Sequence, residues 1–224
     1  IEKAHNNGQI PLLVGGTMLY FNTLVEGISD MPESNEEVRK KVETYIADEG
    51  LNEAYVKLSK IDPISASRIH CNDTQRIQRA LEVFELTNKP LSDWQQNHVN
   101  LSPMKQYDHY QFSIDPGDRE EHRKIVKDRF LKMIESGLVE EVENLLKRPV
   151  LTSDHASMKS VGYRQVCNFL LDKISYDEMI ERSIISTRQL AKRQMTWLRK
   201  WSDLFWLTKN KPESTLKILN QINL

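Results

Sequence analysis

Cysteine is scarce in this chain of 224 residues: only Cys71 and Cys167 occur, far apart and with no Cys-x-x-Cys spacing. That argues against a disulfide framework. With no histidine pair nearby there is no tetrahedral zinc set either, so the sequence predicts a reducing cytoplasm and no metal held by this chain. His70 and Cys71 are adjacent, but zinc needs three or four converging groups. Long apolar runs are also missing. None approaches the roughly 20 residues of a membrane span, and the first residues lack a signal-peptide pattern, so no membrane partner is expected. A net charge is the third absence, with 31 basic residues against 32 acidic ones. Internal repeats and low-complexity stretches do not occur.

What is present is a chain with 39% hydrophobic residues, enough to bury one compact unit with an insertion. Its neutral total hides an asymmetry. Nine acidic and three basic residues lie between Glu26 and Glu53, whereas six basic and no acidic residues lie between Arg182 and Lys200. The second stretch offers a polyanion a local landing site. The chain opens without Met, in Ile1-Glu2-Lys3-Ala4-His5, which reads as the last turn of a helix closed by Asn6-Asn7-Gly8.

Ile10 to Val14 is a short apolar run bounded by Gly8 and by Gly15-Gly16, the pattern of a buried parallel strand, and Thr17 to Val25 then reads as a helix closed by Gly27. Strand, glycine turn and helix make half of a βαβ unit, whose ligands sit at the carboxyl ends of strands. From Met31 to about Asn100 the signals are helical. Ser34 can cap a helix from Asn35 to Asp48, with Glu37 completing a capping box. Asp62-Pro63 is a cap followed by proline at the first helical position. Asn72, with Gln75, opens a helix whose apolar stripe is Ile77, Leu81 and Phe84. His109 to Ile114 alternates as a second strand, Asp118 opens a helix ending at Ser136-Gly137, and helices follow at Val139–Lys147, Tyr163–Leu171 and Tyr176–Trp201. Leu204 to Leu207 reads as a last strand and Pro212 to Ile222 as a closing helix.

Several constellations could carry chemistry. On the long C-terminal helix, Arg188, Lys192 and Arg199 fall within about 40 degrees of one another, with Leu190, Trp197 and Trp201 opposite, so one face is expected to pack and the other to be positive. Gln75, Arg76 and Arg79 sit early in a helix, where backbone N–H groups also attract anions. Arg119, Arg123 and Arg129 follow the second strand, and guanidinium binds phosphate oxygens in bidentate fashion. Lys159-Ser160-Val161-Gly162-Tyr163-Arg164 sets a flexible glycine between cations and a ring that can stack on a base. Taken singly, each is as well read as a solvated charge face or an ordinary turn.

Taken jointly, these segments resemble the tRNA dimethylallyltransferase (isopentenyltransferase) family of the bacterial type. The matching runs are Val14-Gly15-Gly16-Thr17-Met18-Leu19-Tyr20, Asp62-Pro63 through Arg68-Ile69-His70, Asn72-Asp73 through Gln75-Arg76 to Arg79-Ala80-Leu81-Glu82-Val83, Val161-Gly162-Tyr163-Arg164, and Thr187-Arg188-Gln189-Leu190-Ala191-Lys192-Arg193-Gln194-Met195-Thr196-Trp197. The eukaryotic relatives' C-terminal zinc finger has no counterpart here. The resemblance implies transfer of a dimethylallyl group from its diphosphate to N6 of the adenosine 3' of the anticodon (position 37), with Mg2+ assisting departure of pyrophosphate. It implies an α/β fold, with a P-loop-type parallel sheet core incomplete at the N-terminus (1–30 and 101–224) and a helical insertion (31–100) that grips the anticodon stem-loop of tRNA, in a cytoplasmic monomer. By matching positions, Thr17, Arg39, Gln75, Arg76, Ile77, Gln78, Arg79, Lys159, Ser160, Val161, Gly162, Tyr163, Arg164, Arg188, Lys192, Arg193, Gln194, Thr196 and Arg199 would contact tRNA. Arg129 and Arg119 would lie on the side of dimethylallyl diphosphate.

The sequence departs from the family in one respect. It contains no G-x-x-x-x-G-K-[ST] loop to cradle the diphosphate. That loop and the aspartate that serves as general base toward N6 are expected upstream of Ile1. Asp62 and Asp73 do not replace the base, because both read as helix caps. This chain alone is therefore expected to bind tRNA and to transfer no prenyl group. Two other readings stay open at this point, a non-catalytic RNA-binding remnant and an adenylate isopentenyltransferase acting on free nucleotide. The helical module and the basic helix weigh against the latter.

Overall fold

The computed structural model of the protein describes residues 1–28, 31–96, 102–209 and 211–221. The chain forms two compact units, Ile1–Met18 with His109–Leu224, and Leu19–Asp108. The sequence placed its boundaries at 30 and 100; Asp30 and Asn100 lie outside the described residues. The first unit opens with α1 (Glu2–Asn6), and Gly8 follows at φ 69, the left-handed backbone that favours glycine. The strand expected at Ile10 to Val14 does not form: the segment has no regular structure, and Leu12 and Val14 are 82% and 86% exposed. A strand needs a neighbour for its N–H and C=O groups. Among the described residues, the one sheet lies elsewhere in the chain and does not include this segment.

The second unit is helical, and among its described residues there is no strand. α2 (Met18–Glu26) crosses the unit boundary and ends at Gly27, φ 88. α3 (Glu36–Glu49) is capped by Asn35, one residue later than expected, whose side chain accepts from the Glu37 and Val38 N–H groups. α4 (Leu51–Ile61) leads to Asp62, which caps α5 (Pro63–Arg68). α6 (Thr74–Thr87) is capped by Asp73, with Asn72 outside it, and ends at Asn88 in the left-handed region. α7 (Leu91–Gln96) follows. Ala54 and Leu58 from α4 and Ile77, Ala80, Leu81 and Val83 from α6 are buried together as the core, with Val42 of α3 beside them. Burying side chains of the size of Leu58 and Ile77 contributes on the order of 1.5–3 kcal/mol each.

The first unit resumes with β1 (Gln111–Asp115), after which Asp118 caps α8 (Arg119–Glu135) by accepting from the Glu120 and Glu121 N–H groups. α9 (Leu138–Leu146), α10 (Tyr163–Leu170) and α11 (Tyr176–Leu198) follow, then β2 (Leu204–Thr208) and α12 (Pro212–Gln221). Ile222, the expected end of the last helix, lies outside the described residues. β1 and β2 pair in parallel from Gln111 opposite Leu204 to Asp115 opposite Thr208, and Phe112 lies 5.7 Å from Phe205 between ring centroids. Parallel neighbours need a long crossover, and α8 to α11 form it. Phe130 of α8, Leu138 and Val142 of α9, Val166 and Cys167 of α10, and Met179 and Ile184 of α11 close its core.

Candidate nucleic-acid interface

α11 carries the densest positive charge and has two unlike halves. Its start is fixed by a capping box: the Ser175 hydroxyl accepts from the Glu178 N–H, and the Glu178 carboxylate accepts from the Ser175 N–H. Met179, Ser183 and Ile184 are buried here, and Arg182 pairs with Glu178 at 2.9 Å. Arg182 is thus neutralised from outside the Arg182–Lys200 stretch, which itself holds no acidic residue. Beyond Ile184 no α11 residue is fully buried. Leu190 and Trp197, expected on a packed face, are 38% and 42% exposed. The core simply does not reach that far along the helix. Trp201 stands past the helix end and donates its indole N–H to Gln111 of β1. Among the described residues, Arg188, Lys192, Arg193, Arg199 and Lys200 form no ion pair, and all five are exposed. Arg188 and Arg199 lie about 16 Å apart along the axis, with Lys192 between them.

The glycine turn meets this half of α11. Gln194 donates its amide to the Gly16 carbonyl at 2.7 Å, and a Cβ on Gly16 would stand 2.5 Å from the Gln194 Nε2. A side chain at position 16 would push the flexible end of Gln194 aside. Thr17 is exposed beside it, and the Thr196 hydroxyl is turned back to the Lys192 carbonyl. The structure therefore brings Thr17 to the Lys192–Arg199 segment across most of the sequence.

The turn from Lys159 to Arg164 precedes α10 in the same unit. Lys159, Ser160 and Arg164 are exposed, Val161 is half-buried and Gly162 is buried. Lys159 pairs with Asp154 at 3.3 Å. Gly162 takes φ 95, and its N–H donates to the Gln165 Oε1 at 2.9 Å. The Tyr163 ring, expected as a stacking surface, is instead half-buried against the core, and its hydroxyl donates to Glu141 of α9. That hydrogen bond, with burial and the Glu141 charge, pushes the Tyr163 phenol above its ordinary range. A ring held at both face and hydroxyl is not offered to a base here.

In the helical unit most of the expected contacts are already engaged. Arg39 pairs with Glu43 at 3.0 Å, Gln78 donates to Glu43 and Glu82, and Arg79 donates to the Pro32 carbonyl at 2.8 Å beside Glu82. Ile77 is fully buried, so its side chain belongs to the core and cannot touch RNA in this conformation. Arg76 is exposed with Asp73 at 3.4 Å, and Gln75 is exposed with no hydrogen-bond partner among the described residues.

The diphosphate side is not assembled among the described residues. Arg119 and Arg129 are exposed on α8, about 15 Å apart along its axis and on different faces, and Arg123 pairs with Glu120. No group of three His, Cys, Asp or Glu residues converges as a metal site among the described residues. Asp62 accepts from the Ser65 and Ser92 N–H groups at 2.9 Å each and is 2% exposed. Burial pushes its carboxyl up, but hydrogen bonds to Ser65 and Ser92 outweigh this and hold it below the usual aspartate range. Such a carboxylate is a structural acceptor, and Asp73 caps α6.

Sequence reasoning did not single out Gln165, Ser186 or Glu141, which hold the Lys159–Arg164 turn. Only Gln165 had a local signal, its position three residues after the glycine that caps α10.

The IPP transferase family matches this chain over residues 1–201. Among solved structures, a full-length tRNA isopentenylpyrophosphate transferase from Bacillus halodurans is similar at 28% identity and TM-score 0.62, over 99% of this chain and 68% of its own. A tRNA delta(2)-isopentenylpyrophosphate transferase from Staphylococcus epidermidis is similar at 27% identity and TM-score 0.58, over 100% of this chain and 72% of its own. A eukaryotic dimethylallyltransferase acting on tRNA is similar at 26% identity and TM-score 0.73, over 99% of this chain and 59% of its own. With them the chain shares the α/β, P-loop-type core with a helical unit. On this match the chain belongs to the IPP transferase family, the prenyltransferases that modify tRNA.

Proposed function

We propose that this chain is the tRNA-holding portion of a tRNA dimethylallyltransferase that prenylates N6 of the adenosine 3' of the anticodon. In that reaction the N6 nitrogen attacks C1 of the dimethylallyl group, the C1–O bond breaks, its electron pair leaves with pyrophosphate, and the N6 proton passes to a base. The observation that supports the assignment is the exposed half of α11, whose cations pair with no carboxylate among the described residues, beside the Gly16 turn. Such a face suits phosphates, where each cation displaces counterions from the polyanion. A free adenine nucleotide would use little of it. In this reading the helical unit contributes the anticodon-loop contacts, chiefly through Gln75 and Arg76. An Mg2+ ion, when bound, would neutralise charge on the departing pyrophosphate.

The experiment is a comparison of tRNA anticodon stem-loops with altered loop sequences. The chain should bind the cognate loop in a salt-dependent manner, and Gln75→Ala should weaken discrimination between loops by about 1–3 kcal/mol, the scale of a lost base contact. Equal weakening on every loop would reduce Gln75 to a backbone contact. Because the 224 residues contain no G-x-x-x-x-G-K-[ST] loop, alone they should bind tRNA without transferring the prenyl group from dimethylallyl diphosphate in the presence of Mg2+. Turnover by these residues would show that the catalytic groups are misassigned.

A further inference from the structure

Gln165 makes two bonds where a helix cap needs one. It is 5% exposed on α10. Its Oε1 accepts from the Gly162 N–H at 2.9 Å, which fixes the orientation of the amide, since an N–H can only donate. Its Nε2 then donates to the Ser186 Oγ of α11, also at 2.9 Å. Capping α10 requires the oxygen alone, and filling the core requires no polar atom at all. α10 and α11 already pack through Val166, Cys167, Met179 and Ile184. Apolar packing holds helices together but tolerates small slides, whereas a buried amide satisfied at both ends fixes one register, because any slide leaves a buried polar group unpaired.

The register it fixes has a consequence on the surface. At 100 degrees per residue, Gln189, Arg193 and Trp197 share one face of α11 with Ser186, and all three are exposed. Arg193 lies about 10 Å and Trp197 about 16 Å further along the axis. The Lys159–Arg164 turn thus stands at the head of a stripe that offers a guanidinium and then an exposed indole, the combination that grips a single RNA strand by phosphate and base.

We propose that Gln165 is a positioning residue that, through Ser186, holds the Lys159–Arg164 turn in line with the Arg193 stripe of α11, so that one RNA strand engages both. This rests on the reading of the chain as a tRNA binder. Two contacts held in register on one ligand reinforce each other, because the second forms at a high effective concentration. Loss of the register should uncouple them.

The test measures tRNA affinity of the 224-residue chain at fixed salt, with Arg164→Gln made both in the wild type and in Ser186→Ala. Arg164→Gln should weaken binding roughly fivefold in the wild type, the order of one lost phosphate contact, and more than twofold less in the Ser186→Ala background. A purely structural Gln165 would lower the thermal midpoint and leave the Arg164 factor the same. Gln165→Met, which removes both bonds, should repeat the result; if it fails to fold, Ser186→Ala carries the test alone. Arg164 factors within twofold of each other in the two backgrounds, or no effect of Arg164→Gln in the wild type, would overturn the proposal. A wild-type chain without salt-dependent tRNA affinity would remove the functional reading and the coupling with it.

Discussion

Two groups of cations, one on the helices of the helical unit and one on the second half of α11, are paired differently. In the helical unit five cations of α3, α4 and α6 are matched, Arg39 with Glu43, Arg76 with Asp73, Arg79 with Glu82, and Lys41 and Lys57 both with Glu85, whereas Lys40, Lys60, Arg68, Lys89 and Lys105 form no ion pair among the described residues. In the other unit, the second half of α11 leaves Arg188, Lys192, Arg193, Arg199 and Lys200 unmatched among the described residues. A paired cation must give up its carboxylate to meet a phosphate, at a cost of only about 0–1 kcal/mol for an exposed pair such as Arg76 with Asp73, whereas an unpaired cation gives up nothing and gains the counterion release in full. Local charge, then, distinguishes the second half of α11 from the paired cations of the helical unit, although the whole chain is close to neutral.

The largest effect should come from the buried centre of the helical unit. Asp62 caps α5 and also takes the Ser92 N–H of α7, so Asp62→Ala removes a cap and strands a buried donor. The expected loss is about 2–4 kcal/mol, read by amide exchange in α5 and α6 under mild urea. The folded carboxyl is held below its unfolded value of about 3.9, so its contribution is full above that pH and is lost as pH falls through the folded value. The difference between wild type and variant should shrink in acid. If α11 lost protection equally, the two units would not be energetically separate and the comparison would break.

Next in size is the RNA-facing contrast. Replacing Arg188, Lys192 and Arg199 together with Gln should flatten the slope of log affinity against log salt by roughly two units, at about 0.7 to 0.9 per contact. Unfolding free energy should move by less than about 0.5 kcal/mol, because these side chains are exposed and pair with nothing described. The same replacement at the matched Arg39, Lys41 and Lys57 should leave the slope nearly unchanged. Equal slopes from the two triple variants would return α11 to an ordinary solvated face.

Legibility followed how local each signal is. Asp62 and Asp118 were readable as caps because a carboxylate reaches an N–H two or three residues on, all within one short stretch. The caps of α3 and α6 were misplaced by one residue, since Ser34-Asn35 and Asn72-Asp73 each present two competent side chains and backbone angles decide. The strand expected at Ile10–Val14 rests on an apolar run and the glycines that bound it, yet a strand exists only where another takes its hydrogen bonds. Leu190 and Trp197 fit a packed face by periodicity, but where α11 leaves the core depends on α8 and α10, which periodicity does not encode. Gln194 at Gly16 is beyond any window, because the two lie at opposite ends of the sequence. The family's motifs marked the segments of the candidate interface; which side chains in them are free was visible only in the fold.

The smallest effect sharpens the claim that matched charges in the helical unit serve the fold. Glu85 of α6 accepts from Lys41 of α3 and Lys57 of α4 at 2.9 Å each, so one carboxylate ties three helices. Lys41 is largely exposed, and Lys57 also lies 4.8 Å over the Tyr45 ring, so neither depends on Glu85 alone. Hydrogen bonds first from Lys41 and then from Lys57 hold the Glu85 carboxyl below its usual range. Glu85→Gln keeps the shape and removes the charge, and should cost only about 0.5–1 kcal/mol at neutral pH, since water and salt screen a pair this near the surface. The folded value is depressed, so this contribution is present above about pH 4.3 and vanishes as pH falls through the folded value. Urea unfolding of both proteins at neutral pH and near pH 3 measures it. The difference should fall toward zero in acid and shrink in high salt, and tRNA affinity should not move. A loss of tRNA affinity with stability intact would mean that the matched charges also face the RNA, which would undo the contrast between the two groups of cations.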